Sequence, residues 1–149
     1  MLKGIHPLLH AELLHALAAM GHGDELVIAD ANFPAAALAR RLVHVAGASS
    51  ADTLDAILTL FPIDTAVIPA ALTMEVVGEA DAAPEAVREL EAVLVRHGVA
   101  AERLGKLERH AFYARARNVF AIVRTADLRP YGNILLVMGV VNAYPPARG

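Results

Sequence analysis

One imidazole in this sequence sits in an unusual setting. His22 stands between Gly21 and Gly23, and is followed by Asp24-Glu25, the apolar run Leu26-Val27-Ile28-Ala29 and then Asp30. The flanking glycines carry no side chains, so the backbone can approach a ligand closely. An imidazole titrates near neutral pH, which suits it to general acid or base work. The apolar run reads as a short buried strand. In open α/β sheets ligands bind beyond the carboxyl ends of the strands, so a carboxylate terminating such a run is placed to meet one. An ionised Asp30 is an acceptor only and orients a donor, whether a substrate hydroxyl or His22 itself. Both residues also have purely structural uses. An exposed His22 past a helix end complements the helix dipole, and Asp30 can cap a helix or make an Asx turn.

Two further constellations carry polar groups suited to a hydroxylated ligand. Tyr131-Gly132-Asn133 offers a phenol, an unobstructed backbone and an amide just before an apolar run, or else forms an ordinary turn with Gly at positive φ. The string Arg109-His110-Ala111-Phe112-Tyr113-Ala114-Arg115-Ala116-Arg117 mixes cations with aromatics, either to contact hydroxyls or as a solvated helix face. His6, His10 and His15 raise a metal-site reading, which lacks a His-Glu-x-x-His pattern or an acidic ligand at matching spacing. The glycines around His22 follow a helix rather than a strand, and no third glycine completes a dinucleotide fingerprint. Neither a Gly-x-Ser-x-Gly elbow, a P-loop nor a kinase pattern occurs.

Elements that could position these groups alternate along the chain. Leu9, Leu13 and Leu17 recur at helical spacing between Pro7, suited to a first helical position, and Gly21, suited to the C′ position. Strands are expected at 26–30 and 42–46, and a helix at 50–60 capped by Ser49, Ser50 or Asp52. An extended stretch is expected at 66–77, and a helix at 84–97 closed by Gly98. Next come a strand at 104–107, a helix at 110–118, and strands at 119–125 and 134–141. The alternation predicts one α/β layered domain over 1–149, with a largely parallel sheet flanked by helices and an extended tail at 142–149.

Composition bounds the function. The chain has 149 residues, enough for a substantial core, and no Cys, which removes thiol nucleophiles and cysteine-ligated metals and suits a reducing, cytoplasmic setting. A formal charge of −3 with no dense basic block argues against nucleic acid as a partner. The longest apolar stretch, 134–141, is far short of the roughly 20 residues a bilayer span needs. The first seven residues lack a signal-peptide core, so no export is expected. A hydrophobic content of 56% and a mean hydropathy of +0.47 are high for a lone small domain and imply surface buried between subunits.

Taken together, Met1-Leu2-Lys3, Met20-Gly21-His22-Gly23-Asp24-Glu25, Asp30-Ala31-Asn32-Phe33-Pro34, Ala111-Phe112-Tyr113-Ala114-Arg115-Ala116, Phe120-Ala121-Ile122-Val123 and Tyr131-Gly132-Asn133-Ile134-Leu135-Leu136 resemble the D-ribose pyranase and L-fucose mutarotase family, closer to its fucose branch. The resemblance implies a cytoplasmic, cofactor-free and metal-free isomerase that interconverts the anomers of L-fucose or a related monosaccharide. It also implies a ring-based homo-oligomer, a pentamer or decamer. The family's catalytic histidine falls on His22, and its substrate-binding positions on Asp30, Arg109, Tyr131, Gly132 and Asn133. Some fucose-branch members carry His where this chain has Asn32, which bears on sugar preference. A ribose pyranase and a non-catalytic sugar-binding regulator are the alternatives.

Overall fold

A computed structural model describes residues 2–142. The apolar runs pair into a six-stranded sheet. It contains β1 (Glu25–Ala29), β2 (Leu42–His44), β3 (Ala71–Met74), β4 (Leu104–Leu107), β5 (Ala121–Arg124) and β6 (Ile134–Val137), in the order β2-β5-β1-β6-β3-β4. The β1–β5, β2–β5 and β3–β4 pairs are parallel, while β6 runs antiparallel to both its neighbours, β1 and β3. Five strands therefore share one direction, and the largely parallel sheet expected from the alternation of elements is what forms.

Both faces of the sheet are covered, which is why its central strands read as unbroken apolar runs instead of alternating ones. Leu26 and Ile28 of β1 pack with Leu13 and Leu17 of α1 (Ala11–Ala19), Leu54 and Ile57 of α3 (Ser50–Leu58), and Leu90 and Leu94 of α4 (Glu85–Arg96). Val27 and Ala29, pointing the other way, pack with Ala35 and Leu38 of α2 (Ala35–Leu38) and Phe112 and Ala116 of α5 (Arg109–Ala116).

Several boundaries differ from expectation for identifiable reasons. The first helix begins at Ala11, not at Pro7, because the His10 imidazole accepts the Leu13 N–H and acts as its N-cap. Its end is extended at Met20, and the left-handed residue in the following turn is Gly23 (φ 85°), not Gly21. Only 71–74 of the extended stretch 66–77 pairs as strand. The turn α2 forms within an alanine-rich stretch that carries no periodic signal. The final strand closes at Val137, with Met138 continuing as a single bridge to Ile63. Apart from Asn142, the expected tail lies outside the described residues.

Candidate active site

Because β6 runs against its neighbours, the turn that leads into it lies at the same end of the sheet as the carboxyl ends of β1, β3 and β4. A cleft of about 200 Å³ opens there. It is lined by Asp30, Asn32 and Phe33 beyond β1, Met74 at the end of β3, Arg109 and Tyr113 on α5, and Tyr131 and Asn133 ahead of β6. The volume lies below the roughly 300–1,000 Å³ typical of sites for drug-sized ligands, which makes a small molecule the size class it fits.

Asp30 is 3% exposed and makes the Asx turn its residue type favours: Oδ1 accepts the N–H of Asn32 and of Phe33, each at 2.9 Å. Its backbone N–H donates to Asn133 Oδ1 at 2.9 Å, so a residue 103 positions away locks the end of β1 to the start of β6. Burial pushes the Asp30 carboxyl above its usual range, and the N–H groups of Asn32 and Phe33 oppose that only in part. Binding a donor-rich ligand at Oδ2 would relieve it, since a hydrogen bond to the charged form favours that form.

Tyr131 is the sole non-glycine residue with positive φ (64°) among the described residues, a conformation costing about 1–2 kcal/mol. Its hydroxyl accepts the Val77 N–H at 3.2 Å, which pins the phenol across the loop after β3. The positive φ expected at Gly132 thus falls one residue earlier. Gly132 suits the turn for another reason: a Cβ there would crowd the groups beneath it, standing 3.2 Å from Ser50 Oγ and 3.4 Å from the Asp30 Cβ. The Gly132 carbonyl accepts the buried Ser50 hydroxyl at 2.7 Å, while the Ser50 N–H donates to Asp127, itself bonded to Arg129. The turn is therefore fixed from beneath. Arg109 opens α5 beside this turn, and its Nε is buried without a hydrogen-bond partner among the described residues. Phe33 packs edge-on against Phe112 and Tyr113, with ring centroids 5.9 and 5.5 Å apart, and gives the cleft one aromatic wall.

His22 is elsewhere. It precedes β1, whereas Asp30 follows it, and five strand residues at about 3.3 Å each separate the two by at least roughly 16 Å. The structure thus gathers Asp30, Arg109, Tyr131 and Asn133 into one cleft, buries Gly132 behind it, and leaves His22 at the opposite end of the sheet in the same chain. There the imidazole is 61% exposed and its Nε2 lies 2.8 Å from Asp64 Oδ2, a carboxylate that is itself 1% exposed. The Ala66 and Val67 N–H groups, with a smaller share from His22, hold the Asp64 carboxyl below its usual range against burial. Sequence reasoning missed Asp64. It sits 42 positions from His22 in an irregular loop, and no local pattern marks it.

The amino-terminal histidines are engaged with backbone. His6 Nδ1 accepts the Leu8 N–H, and His10 caps α1 while its Nε2 donates to the His44 carbonyl at 2.8 Å. Among the described residues no three His, Asp or Glu side chains converge to hold an ion. The Arg115 guanidinium does not face the cleft but pairs with Glu25.

The chain is similar to known proteins over nearly its whole length. Residues 3–141 match the RbsD / FucU transport protein family. The chain is 46% identical to an L-fucose mutarotase of Glaesserella parasuis, over 94% of this chain and 96% of that protein. It is 41% identical to the fucose mutarotase of Homo sapiens, over 97% of each. Among solved structures, the fucose mutarotase of Streptococcus pneumoniae in complex with L-fucose superposes with a TM-score of 0.89 at 38% identity, covering 94% of this chain and 99% of that one.

Proposed function

The chain belongs to the RbsD / FucU family, and from that premise we propose that it is a mutarotase that interconverts the anomers of L-fucose, or of a closely related monosaccharide, in the cytoplasm. The observation that carries this reading is the cleft at the strand ends. It presents a buried acceptor (Asp30), a cationic donor whose Nε has no partner among the described residues (Arg109), an amide (Asn133) and a pinned phenol (Tyr131) around one small space beside an aromatic wall. That is the equipment for a ring with several hydroxyls and an apolar side.

Mutarotation opens and recloses the sugar. A base takes the proton from the anomeric hydroxyl and an acid delivers one to the ring oxygen. The bond between the anomeric carbon and that oxygen breaks as the carbonyl forms, the aldehyde turns, and the steps reverse on its other face. Protons balance, and neither a redox change nor a covalent intermediate is involved. One imidazole can perform both transfers, each worth roughly 10²–10⁴-fold, while the cleft holds the ring in place.

In this reading His22 is the proton-transfer group and comes from a neighbouring copy of the chain. Exposed apolar residues flank both ends of the sheet: Val77 and Leu128 beside the cleft, Val67, Ile68, Val140 and Val141 beside His22 and Asp64. Docking the His22 end of one copy against the cleft end of the next is a head-to-tail contact. Repeated with a rotation that closes after five copies, such a contact makes a ring, and two such rings stacked would make a decamer. Saturation-transfer NMR on L-fucose tests the activity. Protein-accelerated exchange between anomers, lost in His22→Ala, is the expected result. Binding without acceleration would make the protein a sugar-binding regulator, and faster exchange with D-ribose would make it a pyranase.

A further inference from the structure

The end of the molecule remote from the cleft holds a buried carboxylate, Asp64, against the His22 imidazole. Asp64 Oδ1 accepts the N–H of Ala66 and of Val67, at 2.6 and 3.0 Å. That leaves Oδ2 aimed at His22 Nε2 at 2.8 Å. The loop bearing Asp64 is clamped by Arg103, whose guanidinium donates to the carbonyls of Asp64, Thr65 and Val67. Both partners are also fastened to the same strand end. The Asp64 N–H donates to the Val137 carbonyl at 3.0 Å, and the Gly23 N–H donates to the Met138 carbonyl at 2.8 Å. Asp64 and His22 are thus held in mutual register by consecutive carbonyls at the end of β6.

Resting on the mutarotase reading, we propose that Asp64 is a positioning residue for His22: it keeps the proton of the neutral imidazole on Nε2, so that Nδ1 is the atom that moves protons on the sugar. An ionised carboxylate can only accept, so the ring nitrogen facing it must carry hydrogen. The other nitrogen then carries the lone pair, on a side chain that is 61% exposed. The same logic governs a buried carboxylate behind a catalytic histidine in serine proteases, where it fixes tautomer and orientation without itself taking the proton.

Asp64→Asn inverts this arrangement with little change of shape. Its Oδ1 still accepts from Ala66 and Val67, but the amide NH₂ now faces Nε2 and forces that nitrogen to accept, which moves the ring proton to Nδ1. Two measurements test the proposal. First, ¹⁵N NMR of labelled protein, at a pH where the ring is neutral, reads the His22 tautomer. Wild type is expected to show hydrogen on Nε2 and Asp64→Asn hydrogen on Nδ1; a wild-type ring with bare Nε2 overturns the proposal whether or not the variant folds. Second, saturation transfer at saturating L-fucose reads turnover. Asp64→Asn is expected to lower the maximal exchange rate roughly 10²-fold or more with KM little changed. A merely structural role would instead move KM or folding, and an inverted tautomer with an undiminished rate overturns the proposal. His22→Ala, run in parallel, separates the two levels. Exchange retained in His22→Ala removes the underlying reading, whereas exchange lost there but intact in Asp64→Asn removes only this one.

Discussion

His22 and Asp30 stand at opposite ends of one five-residue strand, β1, so a single chain cannot bring its own imidazole to its own cleft without dismantling the sheet centre. If each site takes His22 from one copy and Asp30 from the next, two inactive variants can complement each other. Co-expressed in equal amounts, His22→Ala and Asp30→Asn subunits assort at random around a head-to-tail ring, and about one site in four receives both intact groups. Anomer exchange in the mixed assembly is expected at about a quarter of the wild-type rate per subunit, while each variant alone is inactive. No recovery after verified co-assembly would place the reacting groups within one chain.

Asp30 predicts a trade between stability and function. Burial raises its carboxyl above the ordinary range, so the folded state binds more protons than the unfolded one just above that range, and stability falls as pH rises through the raised value. Once pH exceeds the raised value, the full cost of the buried charge is present. Asparagine keeps an oxygen for the Asn32 and Phe33 N–H groups but carries no charge. Asp30→Asn should therefore stabilise the fold by about 1 kcal/mol at pH 7, show no gain near pH 3, and lose sugar binding. Thermal melts at the two pH values check the sign, and a variant less stable than wild type at pH 7 would contradict it.

The parts of this fold that were legible in the sequence are those fixed by local chemistry. The β1 run is continuous because both faces of the strand are covered. Asp30 is legible as the end of β1 because Asp after a buried run favours an Asx turn, which it makes with Asn32 and Phe33, and Gly98 marks the end of α4 by its positive φ. Long-range geometry was not legible. Nothing near position 64 shows that β6 carries this loop to His22, and nothing near position 10 shows that an imidazole tied to the His44 carbonyl delays the start of α1. The insertion of the last strand between β1 and β3 likewise follows from packing, yet it alone brings Tyr131 and Asn133 to the end of the sheet where Asp30 lies.

Arg109 has a buried Nε with no partner among the described residues, which is costly unless a ligand oxygen completes it. Arg109→Ala should weaken L-fucose binding by roughly 10- to 100-fold, as expected for losing a hydrogen bond to a charged group, with little change in melting temperature. Arg109→Lys should fail to rescue, because an ammonium keeps the charge but lacks the planar fork that aims Nε. Calorimetric titration with the sugar measures both. A lysine variant with wild-type affinity would reduce the role of Arg109 to charge alone.

Gly139 tests the link between β6 and the His22 end without touching the cleft. A Cβ at this position would stand 2.8 Å from the Asp64 Cα and from the Ile63 carbonyl oxygen, and 3.0 Å from the Asp64 nitrogen. All three are backbone atoms, so no side chain can rotate away and the loop itself must shift. The Asp64 N–H would then leave the Val137 carbonyl while His22 stays fastened through Gly23 to Met138, and the 2.8 Å contact between imidazole and carboxylate would open. Gly139→Ala is therefore expected to cost about 1–3 kcal/mol in stability and to slow anomer exchange at least tenfold at saturating sugar. Asp30, Arg109 and Tyr131 lie at the other end of the sheet, so direct binding of L-fucose should persist in the variant. Parallel measurement of exchange by NMR and of binding by calorimetry distinguishes the cases: a loss of both together would mean that the alanine had disrupted the fold or the assembly as a whole, and a loss of neither would mean that the loop at Asp64 yields without carrying His22 out of line.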